Sequence, residues 1–218
     1  MTDQEIHEIM TRLTLASREW VSPAVTIVSQ REGNPFKVLI SCILSLRTQD
    51  RTTGPASERL FAVAPDAETL ANLSPETVEQ AIYPAGFYRI KAAQIIDIAR
   101  RLRDEYAGRV PDELDELLTF KGVGRKTANL VVTLGYGKPG ICVDTHVHRI
   151  CNRLGYVATR TPDETEMALR LKLPPEYWIG INDLLVMCGQ NLCTPVSPRC
   201  SICPVGHLCA RNGVERSR

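Results

Sequence analysis

No apolar run in the 218-residue sequence approaches the ~18–20 residues a membrane span needs, so no membrane partner is expected. The opening residues Met1-Thr2-Asp3-Gln4-Glu5 are acidic and polar, unlike a secretory signal or a transit peptide. The expected location is therefore cytoplasmic, at the nucleoid if the source is prokaryotic. Low-complexity tracts and internal repeats are absent. So is any sustained two-residue alternation between hairpin turns, which argues against a β-rich fold. A surplus of one charge is missing too: 26 Lys+Arg stand against 25 Asp+Glu, net +1, and global charge names no polyanionic partner. With 44% hydrophobic and 23% charged residues, dominant disorder is excluded and a well-buried core is expected.

Charge is unevenly spread. Residues 1–120 carry 13 Lys+Arg and 18 Asp+Glu, whereas residues 121–218 carry 13 and 7. A nucleic-acid face in the second half would produce this division, and so would an unevenly charged solvated surface. Cysteine is clustered as well. Cys193, Cys200, Cys203 and Cys209 fall within 17 residues, while Cys42, Cys142, Cys151 and Cys188 are scattered through apolar segments. Without a secretory signal, the cluster reads as metal or iron–sulfur ligation and the scattered four as small buried hydrophobes. Four thiolates suit either zinc or a [4Fe–4S] core. A zinc ribbon has two well-separated C-x-x-C knuckles; one close pair with unequal outer spacings fits it less well.

An all-α fold is expected. Thr2-x-x-Glu5 is a capping box ahead of Ile6, Ile9, Met10 and Leu13 on one stripe. Asn34-Pro35 opens a helix through Phe36–Leu44 that is apolar nearly all round and so belongs at the centre of a core. Ser74-Pro75 and Thr161-Pro162 repeat that start signal, Thr161 with Glu164 as a second capping box. Further helices are expected over 89–106, with Ile90, Ala93, Ile95, Ile98 and Leu102 inward, and over 114–120, 126–134, 145–154 and 176–190. Gly135, Gly137, Pro139 and Gly140 mark a hinge or domain crossing.

Lys121-Gly122-Val123-Gly124-Arg125-Lys126 joins two of these helices. Glycines permit a tight turn and close approach of a foreign backbone, and the next helix starts there with free N–H groups facing outward. That is an anion site suited to a DNA phosphate, or equally an ordinary helix connection.

Gly-Val-Gly-Arg-Lys-Thr-Ala-Asn at 122–129, with Val143-Asp144-Thr145-His146 following, resembles the endonuclease III family of helix–hairpin–helix DNA glycosylases. The resemblance runs from the Phe36–Asp50 segment to Cys209. It implies a bifunctional DNA glycosylase and AP lyase that removes oxidised pyrimidines from duplex DNA, through a Schiff base and β-elimination. The alternatives are a mismatch-type uracil or thymine glycosylase of the same superfamily, or a non-catalytic iron–sulfur DNA-binding module; Lys126 and Asp144 together argue against the last. The implied fold is two helical lobes flanking a DNA-binding cleft: a six-helix barrel with the helix–hairpin–helix, 22–138, and an iron–sulfur lobe, 1–21 plus 139–218. The implied partner is double-stranded DNA with a damaged base or abasic site, bound by a monomer.

The resemblance also implies residue roles. Lys126 falls on the family's catalytic lysine, where the helix dipole and the neighbouring Arg125 and Lys121 cations would favour the free amine. Asp144 falls on the catalytic aspartate, which would stabilise oxocarbenium charge, and it also suits a helix N-cap. Gly122, Val123, Gly124 and Arg125 would hold a DNA phosphate. The cysteine spacing Cys193-x6-Cys200-x2-Cys203-x5-Cys209 matches the family's [4Fe–4S] loop, which would present Arg199 to the DNA backbone. Arg47 and Phe87 fall where the family fills the gap left by a flipped base, departing from its commoner glutamine and leucine. Asp50 matches a pocket position or caps the next helix. His146 matches a family histidine with a packing or helix-start role.

Overall fold

The computed structural model describes residues 1–218, the side chain of Glu32 excepted. Among the described residues every regular element is a helix and none is a strand, as the missing period-2 patterns imply. No helix is long and apolar enough to cross a membrane. The chain divides into two compact units, Ala24–Gly140 and Met1–Pro23 with Ile141–Arg218.

The discontinuous unit begins with α1 (Asp3–Ser17). Its capping box forms: Thr2 Oγ1 accepts from Glu5 N at 3.3 Å, and Glu5 Oε2 accepts from Thr2 N at 2.6 Å. The continuous unit holds α2 (Ala24–Glu32), α3 (Pro35–Ser45), α4 (Asp50–Val63), α5 (Ala67–Ala71), α6 (Pro75–Ile82), α7 (Tyr88–Tyr106), α8 (Leu114–Leu118) and α9 (Arg125–Leu130). The discontinuous unit resumes with α10 (Thr145–Leu154), α11 (Pro162–Lys172) and α12 (Ile181–Asn191), and then a loop carrying the short 3-10 turn Cys200–Ile202.

In the continuous unit α3 is the axis. Asn34 Oδ1 accepts from Phe36 N at 2.9 Å and Pro35 fills the first turn. Val38, Leu39, Ile40, Ile43 and Leu44 are fully buried because α2, α4, α7 and α9 all pack around α3. Each such aliphatic side chain contributes about 1.5–3 kcal/mol on burial. In the discontinuous unit Ile6, Ile9, Met10 and Leu13 of α1 join Val147, Ile150, Leu169 and Leu185 in one core.

Several elements differ from expectation. The sequence pattern gives no extent for the helix after Asp50; α4 runs to Val63, straight through Gly54-Pro55. Proline in a helix interior costs about 3 kcal/mol. That cost is offset by buried Thr53, Ala56, Ser57 and Leu60, with Ser41 Oγ donating to Ser57 Oγ at 3.2 Å. The inward face of α7 is also rotated. Ile90 is 68% exposed and Ala93 is exposed, while Lys91, Ala92, Ile95, Ile96, Ile98, Ala99 and Leu102 are buried. The helix expected over 126–134 is α-helical only to Leu130 and widens into a π turn, Val131–Gly135, where Thr133 Oγ1 donates to Asn129 O at 2.8 Å. The helix expected over 176–190 breaks into a 3-10 turn, Pro175–Tyr177, and α12. The break falls at residues 178–180, where Gly180 takes the N-cap position of α12 and Trp178 Nε1 donates to Leu173 O at 2.8 Å.

Candidate functional site

The glycine turn lies between α8 and α9. Gly122 has φ +80°, a left-handed conformation that any side chain would strain, and an added Cβ would also collide with Gln94 Nε2. Gly124 differs. It is the N-cap of α9 at φ −95°, and a Cβ there would meet nothing within 4 Å. Val123 between them is buried and anchors the turn. Glycine at 122 is thus required by the backbone, and glycine at 124 leaves space on the outside. That space borders the start of α9, the end at which a helix leaves its first amides without intrahelical partners. Lys126 follows as its second residue, half-buried, close enough to the buried Cys42 thiol to oppose its upward shift; burial nevertheless pushes that thiol to about 12.

Two further loops of this unit carry Arg47 and Phe87. Both residues have left-handed backbone, φ 55° and 59°, both are exposed, and the Arg47 guanidinium sits 4.7 Å from the centre of the Phe87 ring. Phe87 is not a core residue: its ring is 53% exposed. Asp50 does not cap α4: Gln49 takes the N-cap position and Asp50 stands in the first turn.

In the other unit Asp144 caps α10, its Oδ1 accepting from His146 N at 2.8 Å and Val147 N at 3.0 Å. His146 Nδ1 pairs with Arg149 Nη2 at 3.1 Å, and both pack where Gly189 of α12 has no side chain. Arg149 donates to Cys193 O at 2.9 Å through Nη2 and at 3.2 Å through Nε. One turn on, Arg153 is 8% exposed and donates to Cys193 Sγ at 3.3 Å, Thr194 O at 2.8 Å and Pro195 O at 2.6 Å. The helix capped by Asp144 therefore grips the start of the cysteine segment with two guanidinium groups. Neither arginine stands out in the sequence, because nothing local distinguishes a gripping arginine from a solvated one.

Cys42, Cys142, Cys151 and Cys188 are buried singly, as expected. Cys193, Cys200, Cys203 and Cys209 are half-buried and line one cavity of about 40 Å³, with Leu192 and Pro198 in its wall. Among the described residues no three His, Cys, Asp or Glu side chains gather as a single-ion site. The thiols instead ring a space, an arrangement suited to a polynuclear core. Burial raises the Cys203 and Cys209 thiols, so ligation must displace their protons. Donors for sulfur charge are in place: Arg153 on Cys193, and Arg211 N on Cys209 Sγ at 3.4 Å. The residues present fit an iron–sulfur cluster. Arg199, within the same loop, is exposed.

Residues 40–175 match the family model of the HhH-GPD superfamily of base excision DNA repair proteins. The all-helical fold and the Gly122 turn thus define a helix–hairpin–helix repair protein. Residues 193–209 match the iron–sulfur binding domain of endonuclease III. Endonuclease III of Thermotoga maritima is 49% identical over 181 residues, 83% of this chain and 85% of that one. Among solved structures, a trapped endonuclease III–DNA covalent intermediate (an estranged-adenine complex) has a TM-score of 0.82 at 33% identity over 97% of each chain. A non-covalent endonuclease III–DNA complex has a TM-score of 0.84 at 33% identity, covering 97% of this chain and 96% of that one. The chain belongs to the endonuclease III family: it is a DNA glycosylase and AP lyase of base excision repair, and its cofactor is a [4Fe–4S] cluster.

Proposed function

We propose that the protein acts as a monomer on double-stranded DNA carrying an oxidised pyrimidine or an abasic site, with Lys126 as nucleophile and Asp144 as charge partner. The carrying observation is the position of Lys126, half-buried and one residue inside the helix that the Gly122 turn opens. That an endonuclease III of the same fold has been trapped as a covalent intermediate with DNA supports covalent chemistry for this chain as well.

The target base must leave the stack before an amine reaches C1′. The glycosidic bond then breaks, the base leaving with the bonding pair and taking up a proton, while Asp144 stabilises positive charge on the sugar. Lys126 Nζ bonds to C1′ and gives up a proton. Opening of the sugar ring yields a protonated Schiff base, which acidifies C2′. Loss of a C2′ proton expels the 3′ phosphate by β-elimination, and water releases the lysine. Residues 122–125 hold a DNA phosphate in register without reading sequence, the Val123 amide itself closing the turn on Phe120 O at 3.0 Å, and Arg199 adds a backbone contact. Arg47 and Phe87 fill the vacated gap, Arg47 donating to the orphaned base and Phe87 stacking. Asp50 lines the base pocket, and His146 steadies the Asp144 cap beside the DNA. Cys193, Cys200, Cys203 and Cys209 hold the cluster, which shapes the Arg199 loop.

Borohydride trapping on a duplex with one thymine glycol tests this. A covalent adduct is expected with the native protein and none with Lys126→Ala. An adduct on a pre-formed abasic site alone would move the base specificity elsewhere, and no adduct on either duplex would refute the assignment of Lys126.

A further inference from the structure

Lys91 is a buried cation that the proposed reaction does not use. It lies on α7, one turn after Phe87, and is 5% exposed. Its Nζ donates to Leu44 O at 2.7 Å, Leu46 O at 2.6 Å and Thr48 Oγ1 at 2.8 Å. Three ammonium protons meet three acceptors, and all three are neutral oxygens. Leu44 and Leu46 supply carbonyls at the end of α3, which the helix leaves unpaired at the negative pole of its dipole. Residues 46 and 48 flank Arg47. One ammonium therefore fixes both neighbours of a residue held at φ 55° with its side chain outside.

Thr48 carries the contact onward. Its Oγ1 also accepts from Gly86 N at 3.0 Å, the amide preceding Phe87. The loops meet so closely at this point that a Cβ on Gly86 would lie 2.6 Å from Arg47 O. Lys91, Thr48 and Gly86 thus join segment 46–48 to segment 86–88, and the Arg47–Phe87 stack lies on the outer side of the joint.

We propose that Lys91 is a positioning residue: through Leu44, Leu46 and Thr48 its ammonium locks the two loops into one plug that presents Arg47 and Phe87, already stacked, to the gap opposite an everted base. The inference rests on the reading of Arg47 and Phe87 as the gap-filling pair. Sequence reading misses Lys91 because lysine on an amphipathic helix is normally solvated, and the stripe read from spacing puts Ile90 inward in its place.

The test uses the full protein with its cluster and a duplex bearing a tetrahydrofuran abasic analogue opposite 2-aminopurine, whose fluorescence reports the stacking of the orphaned base. Binding of the native protein changes that fluorescence. Lys91→Met, folded by its thermal transition, is expected to lose at least two-thirds of the change, while its cleavage of an abasic site in single-stranded DNA stays within twofold of native. Thr48→Val removes the joint without stranding a charge and is expected to act alike, with Thr48→Ser restoring the signal. Should Lys91→Met not fold, Thr48→Val against Thr48→Ser decides. If Arg47→Ala/Phe87→Ala leaves the signal intact, the gap-filling reading fails and this inference with it. If that variant abolishes the signal but Lys91→Met and Thr48→Val retain it, only the role of Lys91 is overturned.

Discussion

Gly122 and Gly124 stand two residues apart, yet the structure predicts opposite consequences for the same substitution. At Gly122, alanine must adopt φ +80° and its Cβ displaces the Gln94 amide, which donates to Lys121 O at 3.2 Å. The left-handed conformation costs about 1–2 kcal/mol and the lost hydrogen bond about 0.5–1.5, so Gly122→Ala should destabilise by about 1.5–3.5 kcal/mol. For a chain of this size that lowers Tm by roughly 3–14 °C. Gly124→Ala has an ordinary φ of −95° and open space around its Cβ, so Tm should stay within about 2 °C of native. Its methyl group lies instead where a phosphate would approach the α9 amides. Weakening one such contact by about 1.4 kcal/mol raises Kd tenfold. Calorimetry on both variants, with fluorescence anisotropy on an abasic-analogue duplex at fixed salt, separates the two effects. Equal destabilisation by both alanines would refute the backbone argument; unchanged affinity of Gly124→Ala would refute the phosphate contact.

Asp144 combines a cap with a proposed catalytic charge, and asparagine separates them. Asp144→Asn should keep stability within about 0.5 kcal/mol of native, since both residues cap well, while glycosylase turnover falls at least a hundredfold; Asp144→Ala should lose the cap as well, about 1 kcal/mol by denaturant titration. Burial holds the Lys91 pKa at about 8 against an ordinary 10.5, so between these values the unfolded chain binds the extra proton and stability attributable to Lys91 rises with pH. The Cys42, Cys151 and Tyr156 groups sit at about 12, above that window. The stability gap between native and Lys91→Met should therefore change in favour of the native protein from pH 8 to 10, and a flat difference would contradict the burial. Arg153→Leu removes the donors to Cys193 Sγ, Thr194 O and Pro195 O. Absorbance near ~400 nm, where iron–sulfur clusters absorb, should decay several-fold faster in air than in the native protein.

Local chemistry was legible from sequence, and action at a distance was not. The caps at Thr2, Asn34, Ser74 and Thr161 each close a hydrogen bond within a few residues, and all four form. The glycine turn and the four-cysteine spacing are likewise short-range patterns. The extent of α4 escaped because what holds a helix through Gly54-Pro55 is its burial against α3, a contact no local pattern announces. The register of α7 escaped because Lys91 occupies a buried position that its polarity disguises. Arg149, Arg153 and Gly189 act on partners about 40 residues away, and no pattern within their own helices announces it.

The discontinuous unit also sets an order of events during synthesis. α1 is made first, but the apolar partners of Ile6, Ile9, Met10 and Leu13 lie beyond residue 141. At typical rates of translation, on the order of ten seconds separates the two. The continuous unit, Ala24–Gly140, holds the elements that surround α3 and is complete in the interval. The nascent chain thus carries an amphipathic helix whose apolar stripe waits for partners made more than a hundred residues later. The residues that close this unit are also those that carry Asp144 and the cluster cysteines, so the segment that completes the α1 core is the last to be made and the one that holds the cluster.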